Sequence, residues 1–124
     1  MFCAVALSDI DVAKKITAEC GGCYSLDSTM HLVFILDGRV SGIASARFAD
    51  KAIRITYVGL IEEVRGKGYG DFLTRSMINK VMDLADVVEI DAADDYFIKF
   101  GFKRVGDIMR ADSKHIVFPS KCQH

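Results

Sequence analysis

The stretch "EEVRGKGYGDFL", residues 62 to 73, sets Gly66, Gly68 and Gly70 at alternate positions just ahead of an apolar-periodic segment. Glycine near the start of a helix is expected where a side chain would block something the backbone must do. A glycine-rich link from a strand into a helix turns several backbone N–H groups in one direction. It adds the positive end of the helix dipole, and the combination suits a phosphate. Arg65 and Lys67 place positive charge beside it. Two common phosphate loops do not match. The Walker A pattern needs Ser or Thr after its lysine, and Lys67 is followed by Gly68. The dinucleotide fingerprint is G-x-G-x-x-G after the first strand of a βαβ unit, whereas here G-x-G-x-G follows a run of strand-like segments.

A second cluster, "CGGC" at residues 20 to 23, has C-x-x-C spacing and so invites a zinc or redox reading. Only Cys3, Cys122, His115 and His124 are available to complete a four-ligand zinc site, and they form no second C-x-x-C. The better reading is structural: Cys20 closes a helix and Gly21-Gly22 caps it. No metal is expected.

The elements that must position these residues follow from the hydrophobic period. "FCAVAL" (2–7) reads as a strand, and Ser8 or Asp9 caps a helix over residues 10–20. "HLVFIL" (31–36), "VSGIASARF" (40–48) and "AIRITYVGLI" (52–61) form an antiparallel meander joined by tight turns. After the glycine loop, Leu73, Met77, Val81 and Leu84 recur at helical spacing. "VVEID" (87–91) is a strand reached by that helical crossover and so parallel to the strand before the loop. "DDYFIKF" (94–100) is a short helix ended by Gly101. "FKRV" (102–105) and "HIVF" (115–118) are the last two strands. The fold class is mixed α/β, with a mostly antiparallel central sheet flanked by helices, in one domain over residues 1–124.

Two stretches in this order resemble the GNAT superfamily of acyl-CoA-dependent N-acyltransferases. "RGKGYG" matches that family's R/Q-x-x-G-x-G/A signature, which links its fourth strand to a helix. "YFIKFGF" (96–102) is similar to its F-Y-x-K-x-G-F. The resemblance implies a GNAT-like sheet with splayed fourth and fifth strands and acetyl-CoA as cosubstrate. It also implies transfer of the acetyl group to a primary amine of a small molecule or peptide. The pyrophosphate would lie on Arg65, Gly66, Lys67, Gly68, Tyr69, Gly70 and Asp71, and the pantetheine arm along Leu60, Ile61 and Glu62, with Phe97 near the thiol. A backbone N–H near Leu60 would polarise the thioester carbonyl.

Catalysis needs a base for the acceptor ammonium and an acid for the leaving thiolate. Glu62 and Glu63, at the mouth of the splay, are the candidate bases. Alignment on "GF" puts Phe97 where the family usually has a tyrosine, so Tyr96 is the candidate acid only if the helix starts differently here. Tyr57 faces either cleft or core. His31 and His115 stand isolated at strand starts and receive no role. The departure at Phe97 keeps open a non-catalytic acyl-CoA-binding or sensory module. The N-terminal half has room for one helix where the family commonly has two, so the acceptor is bulky or a homodimer supplies the missing wall.

Composition is consistent with this. The chain has 124 residues, half of them hydrophobic, and a net charge of −1. That is enough for a core without staples and leaves no basic footprint for nucleic acid. The apolar runs are too short to span a bilayer and the N-terminus lacks a signal-peptide pattern, so a cytoplasmic protein is expected.

Overall fold

The computed structural model describes residues 1–119. Its strands are β1 (Phe2–Leu7), β2 (Met30–Leu36), β3 (Arg39–Ala49), β4 (Ala52–Leu60), β5 (Val87–Ile90), β6 (Lys103–Val105) and β7 (Ile108–Asp112). They make one sheet in the order β1-β2-β3-β4-β5-β7-β6. Every neighbouring pair is antiparallel except β4 with β5. That single parallel pair is the one joined through a helix, as the crossover geometry requires.

Helix α1 (Ile10–Glu19) starts at Asp9, whose carboxylate accepts from the N–H groups of Asp11 and Val12 at 3.0 and 3.2 Å. It ends in a Schellman motif. Gly21, at φ +87°, donates its N–H to the Ala18 carbonyl, and Gly22 donates to that of Thr17. The "CGGC" segment is thus the C-cap that the sequence suggests. Helix α2 (Tyr69–Met82) buries Leu73, Met77, Ile78 and Val81 against the sheet. The two helices cover opposite faces. Tyr57 of β4 reaches back to the end of α1, whereas Leu60, of opposite parity, lies toward Gly70 of α2. With both faces covered, β3 reads as an unbroken buried run from Ser41 to Ala46 rather than an alternation.

The β4–β5 pairing runs from Ala52 with Val87 to Ile55 with Ile90. It closes with the Asp91 N–H on the Ile55 carbonyl at 2.9 Å. From Thr56 to Leu60, β4 runs on past the end of β5, which leaves an opening, the fork, beside its last residues. A bulge lies at the fork: Ser45 pairs with Tyr57 and Ala46 with Ile55, leaving Thr56 as the extra residue. Just before the fork, Arg54, Glu89 and Arg110 are directly opposed across β4, β5 and β7. The buried Glu89 carboxylate accepts from Arg54 at 3.0 Å and from Arg110 at 2.8 Å, tying the three strands at that point.

One expectation is corrected. "HIVF" is not a strand: Ser113–His115 form a 3-10 turn, and Val117 donates its N–H to the Phe100 carbonyl from irregular chain. The last strand is instead "IMRAD", Ile108–Asp112, where only Met109 and Ala111 are buried, so its apolar signal is short. The short helix after β5 is of the 3-10 kind, Asp95–Phe100, and ends at Gly101 as expected. Cys122 and His124 lie outside the described residues. Among those described, no helix is long and apolar enough to cross a membrane.

Candidate active site

The loop from Arg65 to Gly70 connects a 3-10 turn (Glu62–Val64) to α2. Gly66 and Gly68 both take positive φ, +78° and +85°, a left-handed geometry that costs other residues about 1–2 kcal/mol. Gly68 is the N-cap of α2 and brings no side chain to cap the helix's first N–H groups. The first turn therefore presents backbone donors together with the positive end of the helix dipole.

Beside this turn, on the α2 face of the fork, lies a cleft of about 550 Å³. Val58, Gly59 and Leu60 form one wall; Gly70, Asp71 and Thr74 form another; Tyr96 and Phe97 close it, with Arg65 at its edge. The backbone of the first wall is poised for a ligand. Ile61 donates its N–H to the Ser41 carbonyl of β3 at 2.9 Å. By the alternation of an antiparallel ladder, the N–H and C=O of Leu60 then point away from β3; the C=O accepts from Arg65, which leaves the N–H facing the fork.

On the α1 face of the same fork is a second cavity, of about 350 Å³. The bulge turns consecutive residues Thr56 and Tyr57 into it, and Asp91 reaches it from just beyond β5. Ser45 lines its floor, and the 23–28 loop supplies Tyr24, Asp27 and Ser28. Tyr57 lies flat in this wall because there is no side chain to displace it: a Cβ on Gly59 would fall 2.2 Å from its hydroxyl and one on Gly22 2.5 Å from its ring. The Tyr57 phenol is pushed up, mainly by burial.

The expected residues divide. Leu60, Arg65, Gly70, Asp71, Tyr96 and Phe97 come together at the α2-face cleft. Glu62 and Glu63 do not line it; both are exposed on the 3-10 turn, and Glu63 pairs with Arg39 at 3.7 Å. Ile61 is buried with its N–H spent on β3. The ring of Tyr69 packs against Phe2 and Phe34, at 5.3 and 5.1 Å between centroids, which leaves its backbone for a ligand. Lys67 is exposed on the loop.

Arg65 does more than add charge. Its Nε donates to the Leu60 carbonyl at 3.1 Å and its Nη2 to the Cys20 carbonyl at 2.9 Å.

Tyr96 and Phe97 both reach the cleft from the short 3-10 helix after β5. Asp94 caps that helix through the Tyr96 N–H. The Tyr96 hydroxyl donates to the Asp71 carboxylate, which Arg75 also holds at 2.8 Å. Lys99 sits over the Tyr96 ring at 4.1 Å. Burial and then the Asp71 carboxylate push the Tyr96 phenol well above its usual range. Sequence reasoning missed the α1-face cavity, whose lining comes from five separate segments with no local motif among them.

No family model matches the sequence, and no curated protein is similar to it in sequence. Solved structures are similar in fold. One is a GNAT family acetyltransferase from Brucella melitensis in complex with acetyl-CoA. It is 18% identical, covers 90% of this chain and 88% of its own, and has a TM-score of 0.71. The ribosomal-protein-S18-alanine N-acetyltransferase from Escherichia coli is 12% identical with a TM-score of 0.71, over 100% of this chain and 99% of its own. Arabidopsis thaliana Naa50, in complex with the bisubstrate analogue CoA-Ac-MVNAL, is 12% identical with a TM-score of 0.71, over 90% and 98%. The chain has the GNAT acetyltransferase fold, as the resemblance of its glycine loop implies.

Proposed function

We propose that the chain is an acyl-CoA-dependent N-acyltransferase that moves an acetyl group from acetyl-CoA to a primary amine. The observation that carries this reading is the fork itself. Two cavities approach it from opposite faces of the sheet, one beside the glycine-capped N-terminus of α2 and one lined by hydroxyls and carboxylates. The GNAT-fold structures bound to acetyl-CoA or to a bisubstrate analogue add support.

In this reading the coenzyme's pyrophosphate lies on the first turn of α2, and Gly66 and Gly68 keep side chains out of its way. The pantetheine arm follows Val58 to Leu60 in place of the missing strand pairing. The Leu60 N–H faces the thioester oxygen and stabilises the charge that develops there. The acceptor enters from the α1 face and attacks the carbonyl carbon, so that much of the rate comes from holding amine and thioester together. Tyr96 is the hydrogen-bond donor nearest the thiol side. It must exchange Asp71 for the departing sulfur as its acceptor.

The test is release of free thiol from acetyl-CoA in a screen of amines and peptides. Tyr96→Phe should lower turnover by roughly a hundredfold, the usual size of a general-acid effect, with acetyl-CoA affinity little changed. Unchanged turnover in that variant would remove Tyr96 from the chemistry.

A second reading, a non-catalytic acyl-CoA-binding module, is favoured by one observation: the Tyr96 proton is already committed to Asp71. It predicts acetyl-CoA binding without thiol release for any acceptor.

A further inference from the structure

The acceptor-side cavity has a buried histidine behind it. His31, on β2, is only 5% exposed. Its Nδ1 stands 2.8 Å from the Ser45 hydroxyl, and its Nε2 stands 3.2 Å from the Tyr24 hydroxyl. Ser45 lies directly opposite His31 in the β2–β3 register and opposite Tyr57 in the β3–β4 register. Both Ser45 and Tyr24 line the cavity. Burial alone asks for a partner on each ring nitrogen; what is particular here is that both partners are hydroxyls opening onto the same cavity.

We propose that Ser45, His31 and Tyr24 form the route by which the acceptor ammonium loses its proton before attack. The proposal rests on the acyl-transfer reading and adds the base which that reading lacks. The ammonium gives a proton to the Ser45 oxygen while Ser45 passes its own to Nδ1 of His31. The Nε2 proton moves to the Tyr24 oxygen, and the Tyr24 proton leaves to solvent from that half-buried side chain. The freed lone pair attacks the thioester carbon; the C–N bond forms and the C–S bond breaks. Of the three ammonium protons, one leaves along this chain and one leaves the tetrahedral intermediate, matched by the proton the thiolate takes up. The third remains as the amide N–H.

The surroundings favour this use of the ring. Burial lowers the pKa of His31, so the imidazole is neutral at neutral pH and relays by changing tautomer rather than by storing charge. Lys14 lies 5.9 Å from the Tyr24 ring centroid. Asp27, Arg47 and Asp91 line the cavity, with Arg47 and Asp27 paired at 3.7 Å. Two carboxylates against one guanidinium give the cavity a net negative charge, which suits an acceptor arriving as a cation.

The test compares two small acceptors, ethanolamine, an ammonium at neutral pH, and hydroxylamine, which is already unprotonated there. Turnover of acetyl-CoA is read with each across the neutral and mildly alkaline range. In His31→Gln the ratio of ethanolamine to hydroxylamine turnover should fall roughly a hundredfold at neutral pH. The difference should shrink as pH rises and ethanolamine deprotonates by itself. Ser45→Ala should show the same selective loss, which covers the case in which His31→Gln fails to fold. Equal loss with both acceptors, or no loss, would overturn the relay. Calorimetry with acetyl-CoA alone keeps the two claims apart. Intact acetyl-CoA binding in a wild-type protein that acetylates neither acceptor overturns the relay and leaves the coenzyme reading standing. No binding at all overturns both.

Discussion

Arg65 donates from Nη2 to the Cys20 carbonyl, 2.9 Å away and 45 residues back along the chain. The cation thereby meets the negative end of α1 at its C-cap, and with its Nε on Leu60 it clamps the glycine loop to both α1 and β4. Arg65 is thus an internal tie of the loop as well as a residue at the edge of the cleft.

Arg65→Ala should therefore lose stability, by about 2 kcal/mol for two charge-assisted hydrogen bonds at a partly exposed site. Arg65→Lys should recover only part, because a single ammonium cannot span both carbonyls. Thermal melts of the three proteins check this. A melting temperature unchanged in Arg65→Ala, with acetyl-CoA affinity sharply reduced, would assign Arg65 to the phosphate after all.

The Tyr96 phenol is raised above the ordinary tyrosine value of 10.0. The folded state then holds a proton that the unfolded state begins to release near that value. The stability this contributes is full below it and is lost as pH rises toward the folded pKa. Stability of the wild type should fall more steeply above about pH 10 than that of Tyr96→Phe. Parallel alkaline slopes in the two proteins would mean that the phenol titrates normally.

Glu62 and Glu63 are exposed and off the cleft. Glu62→Gln and Glu63→Gln should each keep turnover within about twofold, and loss of the long Glu63–Arg39 pair should cost under about 1 kcal/mol. A tenfold fall in turnover at constant acetyl-CoA affinity would restore a carboxylate as the base and argue against the His31 relay.

Much of the fold was legible because its signals are local. The glycine loop, the hairpin turns and the stripe of Leu73, Met77 and Val81 each declare an element within a few residues. What was illegible depends on tertiary distance. "HIVF" looks like a strand, but only Ile116 of that run is buried, and Gly101 comes so close to the His115 carbonyl that a Cβ there would sit 2.6 Å from it. "IMRAD" receives no assignment because its buried apolar residues are only Met109 and Ala111, with Arg110 between them to hold Glu89. The carbonyl partners of Arg65 and the hydroxyl partners of His31 could not be read at all. Arg65 answers a carbonyl on a distant helix, and His31 sits opposite Ser45 only once β2 and β3 pair.

The cysteines offer a separate check. Cys20 is buried and its thiol is pushed up by that burial, whereas Cys3 and Cys23 are exposed. A thiol reagent should label Cys23 quickly in the folded protein and Cys20 only after unfolding, since the thiolate is the reactive form. Cys20→Ser with Cys23→Ser should keep acetyl-CoA affinity. Rapid labelling of Cys20 in the native state, or a zinc-dependent melting temperature lost in the double variant, would contradict the capping role of this segment.

The central claim is that the glycine loop and the fork hold acetyl-CoA. Titration calorimetry of acetyl-CoA into the wild type and into Gly68→Val tests it most directly. Gly68 caps α2 at φ +85°, so a branched side chain there both strains the cap and stands at the first N–H groups of the helix. The account expects saturable one-to-one binding in the wild type, competed by coenzyme A. It expects that binding to be lost in Gly68→Val while the far-ultraviolet circular dichroism is retained. Absence of binding in the wild type, or equal affinity in the variant, would contradict it.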